Sequence, residues 1–248
     1  MKEDERRLAI LQRLTRMEND APRESAIPTG FAAFDAALGG GYPRSAMVEV
    51  FGPSGCGKTT LTLQTIAHIQ ESGLHAAWID ADHTFDAAYA ASLGVDIERL
   101  PLAQPANAEE ALEITRTLAS SGAVDLIAID SAAALAPRLE VEAGIGQSIP
   151  GLHSRVLGSE LRKLSISIRR GSCCVVFLNQ MRNRMDTPGE GETSAGGPPL
   201  KLFAAIRIGM LPAGGSRLRL RVLRNKAAEA SAGRELEWRR GSGFVKSP

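Results

Sequence analysis

An α/β fold with a mainly parallel, twisted sheet flanked by helices on both faces is what this sequence predicts, on three observations. Strand-length apolar runs alternate with helix-length amphipathic segments from residue 47 onward. The runs LIAID (126–130) and CCVVFL (173–178) lack the polar alternation of a half-exposed sheet, so they suit strands buried on both faces. Aromatic residues make up only 4% of the 248 residues, which disfavours a β-sandwich or an aromatic-lined binding module, and an apolar fraction of 44% is enough for one large core.

In chain order, residues 2–18 read as an amphipathic helix, with Leu8, Leu11, Leu14 and Met17 three residues apart and Arg and Glu on the other face. Glu18–Pro28 is polar with two prolines and reads as a linker, so 1–26 stands as an N-terminal helix and linker, a candidate oligomerisation arm, ahead of a core over 27–240. A helix over Thr29–Leu38 is broken by Gly39–Gly41 before a strand at Met47–Phe51. There follow a helix at Thr59–Glu71, a strand at Ala76–Asp80, helices at Asp86–Leu93 and Ala108–Ser120, and a strand at Leu126–Asp130. Helix Leu152–Arg169 leads to strand Cys173–Leu178, with further strands near Ala204–Met210, Arg217–Arg224 and Glu235–Arg239 and a short basic tail over 241–248.

Charge and cysteine content set broad limits. Lys and Arg number 29 against 28 Asp and Glu, a net charge of +1, but an acidic first half offsets a basic end: from Ser216 to Pro248 nine Lys/Arg face three Glu. That end is a candidate phosphate-binding extension. Three cysteines form no disulfide framework, no apolar run is long enough to span a membrane, and the charged start is unlike a signal peptide. The expected setting is a reducing cytoplasm, with no membrane partner.

The strongest motif is GPSGCGKT. Gly52, Pro53, Ser54, Gly55, Cys56, Gly57, Lys58 and Thr59 satisfy G-x-x-x-x-G-K-[ST] between an apolar strand and an amphipathic helix, the context the motif needs. Such a loop wraps phosphates with backbone N–H groups at a helix N-terminus. Lys58 then reaches the β- and γ-phosphates, and Thr59, with Asp130 at the tip of LIAID, holds Mg²⁺. Mg-nucleotide binding follows, with Cys56 as a small filler of the loop.

The runs IPTGFAAFDAALGGGYPRSAMVEVFGPSGCGKTTLTLQTIA, WIDADHTFDAAYAASLGVDIERL, SGAVDLIAIDSAAALAPRLEVE, LGSELRKLSISI, VVFLNQMR, GGPPLKLFAAIRI and RVLRNK occur in the order of the bacterial RecA recombinases, and the chain resembles that family from about Ile27 to about Lys226. The resemblance implies a RecA-like P-loop NTPase core. It also implies a DNA-dependent, Mg²⁺-requiring ATPase that coats single-stranded DNA as a filament, engages duplex DNA during exchange, and serves homologous recombination, repair and the SOS response. By the same resemblance Asp82 stands for the glutamate that activates water, and Thr60 closes the phosphate loop. Asp86 and Tyr89 contact adenine, with Tyr89 stacking on the base. Gln180 senses the γ-phosphate and signals to the adjacent DNA loop, and Arg224 and Lys226 stand for two lysines that reach a neighbour's ATP.

Two Gly-rich stretches, Gly144–Gly151 and Asn183–Pro199, are the expected DNA loops. Gly144, Gly146, Ser148, Gly151, Gly196 and Gly197 supply backbone N–H groups, and Arg155, Arg162, Arg182, Arg184 and Lys201 are the candidate cations.

Four departures from the family pattern stand out. Asp82 is one methylene shorter than the family glutamate, which points to slow turnover. Asn19–Ser25 offers no apolar strand for a neighbouring subunit. The longer loop is acidic at Asp186, Glu190 and Glu192 and lacks an aromatic, and Leu202 replaces an interface phenylalanine. The family's C-terminal domain is expected to be absent. The competing expectation is a non-recombinogenic RecA-like accessory protein that binds ATP and regulates another repair factor, such as a translesion polymerase.

Overall fold

The computed structural model describes residues 25–143, 149–182, 193–226, 234–239 and 243–245. Strands β1 (Ala26–Ile27) and β2 (Tyr42–Pro43) pair antiparallel and flank α1 (Ala32–Leu38). The main sheet runs β12 (Gly243–Phe244), β11 (Arg234–Arg239), β10 (Arg217–Asn225), β9 (Ile206–Pro212), β3 (Met47–Gly52), β7 (Cys174–Arg182), β6 (Leu126–Asp130), β4 (Ala76–Asp80), β5 (Leu102–Ala103). From β9 to β5 the neighbours are parallel, whereas β10, β11 and β12 extend the sheet antiparallel. At the end of β7 the short β8 (Thr193–Ser194) folds back as an antiparallel partner.

The predicted double burial of the parallel strands holds, because each presents alternate residues to two cores. Val48, Val50, Trp78, Leu126, Val176 and Leu178 pack under α1, α2 (Lys58–Glu71) and the short α3 (Ala87–Ser92). On the other face Ala77, Ile79, Ile127, Ile129, Val175 and Phe177 pack under α4 (Ala108–Ser121) and α6 (Leu152–Gly171). α4 is capped by Asn107, whose side chain accepts from the Glu110 N–H, and α6 follows the small α5 (Arg138–Val141). β10 is different: Leu218, Leu220 and Val222 are buried while Arg217, Arg219 and Arg221 face outward, the alternation of a sheet covered on one side.

Among the described residues the predicted elements sit within four residues of the observed ones, the largest difference being the strand predicted at Cys173–Leu178 and observed at Cys174–Arg182. Residues 2–18 lie outside the described residues. Ala26–Ile27, read as the end of a linker, is a strand with Ile27 fully buried; two residues carry no periodicity to announce it. α1 starts at Ala32 rather than Thr29: the N-cap Phe31 is extended, and Thr29 donates both its N–H and its hydroxyl to Asp35. The stretch 241–248, read as a tail, contains β12, whose Phe244 is buried.

One charged cluster is sunk in the sheet. Glu49 on β3 is fully buried, pairs with Arg207 on β9 at 2.6 Å and accepts from the Asn179 amide on β7 at 2.9 Å. Arg207 also donates to the Ser194 hydroxyl at 3.3 Å and lies 4.9 Å from the centre of the Phe51 ring. Leaving either charge without its partner is costly in such a setting. Arg207→Met should therefore lower unfolding free energy by about 3–5 kcal/mol, and adding Glu49→Leu should recover most of it. Urea denaturation of the two variants checks this, and an equal loss in both would contradict it.

Candidate nucleotide-binding site

The carboxyl ends of β3, β7, β6 and β4 come out at one edge of the sheet, where ligands bind in open α/β folds. Register fixes which groups meet there: Gly52 pairs with Gln180, and Asp80 with Asp130. The loop 52–57 then turns into α2 through Gly57, at φ +91°. A Cβ on Gly57 would lie 2.7 Å from the Phe244 ring, so glycine is required there for packing as well as for backbone conformation.

Lys58 is buried, and its ammonium donates to the Gly52 carbonyl (3.1 Å) and the Pro53 carbonyl (2.8 Å). These bonds hold the cation at the mouth of the loop, where phosphate oxygens can take over from the carbonyls. The Cys56 sulfur lies 3.9 Å from the same ammonium; burial pushes its thiol up and Lys58 pulls it back. Ser54 and Gly55 are exposed at the rim of the loop.

The Thr59 hydroxyl donates to Asp130 at 2.8 Å, joining the two residues assigned to Mg²⁺. An aligned hydroxyl and carboxylate beside a phosphate loop form the hard oxygen donor set that Mg²⁺ prefers, so these residues fit the ion. Burial pushes the Asp130 carboxyl up to about 6; the Thr59 hydrogen bond and Lys58 oppose this, and Asp82 and Asp80 add to it.

Asp82 follows the tip of β4. Its N–H donates to the Asp130 carbonyl, and its carboxylate accepts from the Ser131 hydroxyl at 3.1 Å and the Ser131 N–H at 3.3 Å. Ser131 was not anticipated from the sequence, since nothing local marks it. Asp80 is structural: fully buried, it accepts from the Thr84 and Phe85 N–H groups and the Gln104 amide, and so shapes the turn that carries Asp82.

Asp86 caps α3 by accepting from the Tyr89 N–H at 2.9 Å, and the Tyr89 hydroxyl shares a 2.7 Å hydrogen bond with Thr60. Tyr89 thereby borders a cavity of about 330 Å³ beside the phosphate loop, whose other walls include Arg217, Trp238 and Phe244. The sequence reading missed the last two residues. Gln64 on α2 clamps Phe244 through both its main-chain groups, at 3.0 and 2.7 Å.

Gln180 is exposed beside Gly52, while Asn179 is buried and donates to Glu49 and to the Ala195 carbonyl. The Ala195 N–H in turn donates to the Gln180 carbonyl, so the start of the second Gly-rich loop and its return are tied together. Arg182 closes β7 opposite Thr193.

At the return, Gly196 and Gly197 line a second cavity of about 370 Å³ together with Gly151, His153 and Ser154 from the start of α6. The described ends of the two Gly-rich stretches, at Gly151 and at Gly196–Gly197, thus meet at one place. Arg155 and Arg162 are exposed two turns apart on α6, hence on one face, and Lys201 lies on α7 (Pro198–Phe203), which packs against α6. Gly144, Gly146, Ser148 and Arg184 lie outside the described residues.

Arg224 and Lys226 are not at this edge. β10 runs away from it, so Arg224 pairs with Arg207 near the start of β9, about 20 Å along the strand from Leu218 at the cavity. Arg224 donates to the Lys201 carbonyl, and the Lys226 N–H donates to the Ala205 carbonyl.

A family model described as the RecA N-terminal domain matches residues 9–239. The chain belongs to the RecA family. It is 42% identical to Protein RecA of Brucella anthropi over 247 residues, covering 94% of this chain and 68% of that protein. Against Protein RecA of Bartonella quintana it is 43% identical over 231 residues, covering 89% and 67% respectively. Protein RecA of Brucella canis gives 42% over 241 residues, 92% of this chain and 67% of the relative. The RecA-like core expected from the motifs therefore stands, and among the described residues no helix is long and apolar enough to cross a membrane.

The electrostatics of Asp130 have a measurable consequence. An unfolded aspartate releases its proton near 3.8, whereas folded Asp130 holds it to about 6. Between those values the folded state binds more protons, so stability falls as pH rises through the window, and the full penalty is present above pH 6. Asp130→Asn should stabilise the metal-free protein by on the order of 2–3 kcal/mol at pH 7.5, with the gain shrinking toward zero near pH 4. Urea unfolding in a chelator at both pH values measures it, and an equal gain at both would contradict the assignment.

Proposed function

We propose that this protein is an ATP-dependent RecA-type recombinase that binds single-stranded DNA and acts in homologous recombination and DNA repair. The observation that carries the reading is one sheet edge. There the phosphate loop, the Thr59–Asp130 pair and Gln180 lie on adjacent strands, and Gln180 is tied through Ala195 to the glycines of a DNA loop.

In this mechanism the 52–57 loop and Lys58 bind the β- and γ-phosphates of ATP, and Thr60 and Tyr89 bound the base side. Thr59 and Asp130 would hold Mg²⁺, which would supply neutralisation of charge on the phosphate oxygens. Asp82 orients the attacking water and accepts its proton as the bond to the γ-phosphorus forms and the bond to the leaving ADP oxygen breaks. Its carboxylate is held by Ser131 and its side chain is short, so turnover is slow. Gln180 reports an occupied γ-phosphate position to the DNA loop through the Asn179–Ala195 contacts. Single-stranded DNA lies along Gly151, Gly196 and Gly197, with Arg155, Arg162, Arg182, Arg184 and Lys201 as phosphate partners.

Arg224 and Lys226 stand too far along β10 to serve their own ATP. Their supply to a neighbour's site in a filament makes hydrolysis depend on assembly. The recombinase reading is supported over the accessory-protein alternative by the gathering of Lys58, Thr59, Asp130 and Gln180 at one sheet edge.

ATP hydrolysis should rise cooperatively with protein concentration and with added single-stranded DNA, and DNA affinity should fall steeply with salt. ATP binding without DNA stimulation would favour the accessory role. Asp82→Glu should raise kcat by on the order of 10-fold or more while leaving ATP affinity in place. An unchanged kcat in a steady-state assay would remove Asp82 from its role.

A further inference from the structure

Five of the seven exposed residues of α6 are cations, Arg155, Arg162, Lys163, Arg169 and Arg170, and none is acidic. Arg155, Arg162 and Arg169 stand seven residues apart, so they share one face in steps of two turns and form a row about 21 Å long. The helix has a single acid, Glu160, which is half-buried and held by Lys163 at 2.7 Å. The four arginines have no carboxylate partner among the described residues.

Local structure explains only part of this row. Arg169 and Arg170 sit in the last turn, where the helix dipole favours cations, but Arg155 sits near the first turn, where the dipole opposes one. Like charges left unpaired along one face repel each other, and an anion laid along the row removes that cost. The row also has a direction. α6 ends at Gly171, just before β7 starts at Cys174, so it runs from the loop glycines back to the opposite edge of the sheet. Arg155 lies at the loop end, and Arg169 and Arg170 lie at the far one.

The chemistry of the row narrows the anion. α6 carries no Phe, Tyr or Trp, and Ile166 is its one exposed apolar residue. Surfaces for unpaired nucleotides combine cations with aromatic rings on which bases stack, whereas a straight row of cations alone meets a phosphate backbone. A length of about 21 Å matches roughly six steps of a duplex.

We propose that the far half of α6 is a binding surface for duplex DNA, with Arg169 and Arg170 on the phosphate backbone of a helix that lies beside the single strand held at the loops. Contacts of this kind carry no sequence information. This inference rests on the DNA reading of the site.

Fluorescence anisotropy with labelled oligonucleotides tests it on the whole chain with ATP present. Arg169→Ala combined with Arg170→Ala should weaken binding of a blunt duplex on the order of 10-fold and lower the slope of log affinity against log salt by about 2. Single-strand affinity and single-strand-stimulated ATP hydrolysis should stay within about two-fold. Arg169→Lys with Arg170→Lys should retain duplex binding, since the backbone meets the charge. Arg99→Glu, an equal change of charge at an exposed position between α3 and β5, should leave duplex binding in place. Unchanged duplex affinity in the double alanine variant, an equal loss for duplex and single strand, or an equal loss in Arg99→Glu would overturn the proposal. A double alanine variant that loses only a polyglutamate peptide would also overturn it, making the row a protein-docking surface. A wild-type protein that binds neither oligonucleotide would instead overturn the DNA reading beneath it.

Discussion

Parallel pairing of β3 with β7 and β9 decides where every chemical group in this protein can stand. Because these strands run together, their carboxyl ends deliver the phosphate loop and Gln180 to adjacent positions without long-range searching by flexible segments. β6 and β4 follow in register and bring Asp130 and the Asp82 turn to the same edge. The buried Glu49–Arg207 pair lies across the same three strands and also holds Asn179 and Ser194. A charged contact in the core thus bears on both the nucleotide edge and the base of the β7–β8 hairpin.

Charge at the site is balanced by contacts that a ligand can replace. Lys58 rests on loop carbonyls, and burial raises the Asp130 carboxyl to about 6 even though it accepts from Thr59. On the proposed reading, phosphates and a divalent cation would relieve both conditions together, since one would satisfy the ammonium and the other the carboxylate. Binding of the two would then be cooperative for electrostatic reasons before any conformational change is invoked.

Much of this was legible in the sequence because its signals are local. The G-x-x-x-x-G-K-T spacing, the LIAID tip and the apolar runs locate the phosphate loop, Asp130 and the parallel strands, and Ala76–Asp80 and Leu126–Asp130 match residue for residue. What escaped is non-local or too short to carry a period. β1, β2, β8 and β12 are two residues each and exist through their partners. Ser131 matters through Asp82, 49 residues away in sequence, and Phe244 through Gln64, 180 residues away. Trp238 read as one more strand residue, since only the cavity shows that it and Tyr89 border the same space.

On the proposed reading, the separation of Arg224 and Lys226 from the nucleotide edge makes the activity one shared between subunits. Head-to-tail contacts of this kind give every site one subunit's phosphate loop and the next subunit's cations. The most direct measurement mixes two inactive proteins, one carrying Lys58→Ala and the other Arg224→Ala with Lys226→Ala, and follows DNA-stimulated ATP hydrolysis. Sites made from the intact loop of one and the intact cations of the other should restore roughly a quarter of wild-type turnover at equal mixing. A mixture as inactive as its components, with both proteins still binding single-stranded DNA, would contradict the account.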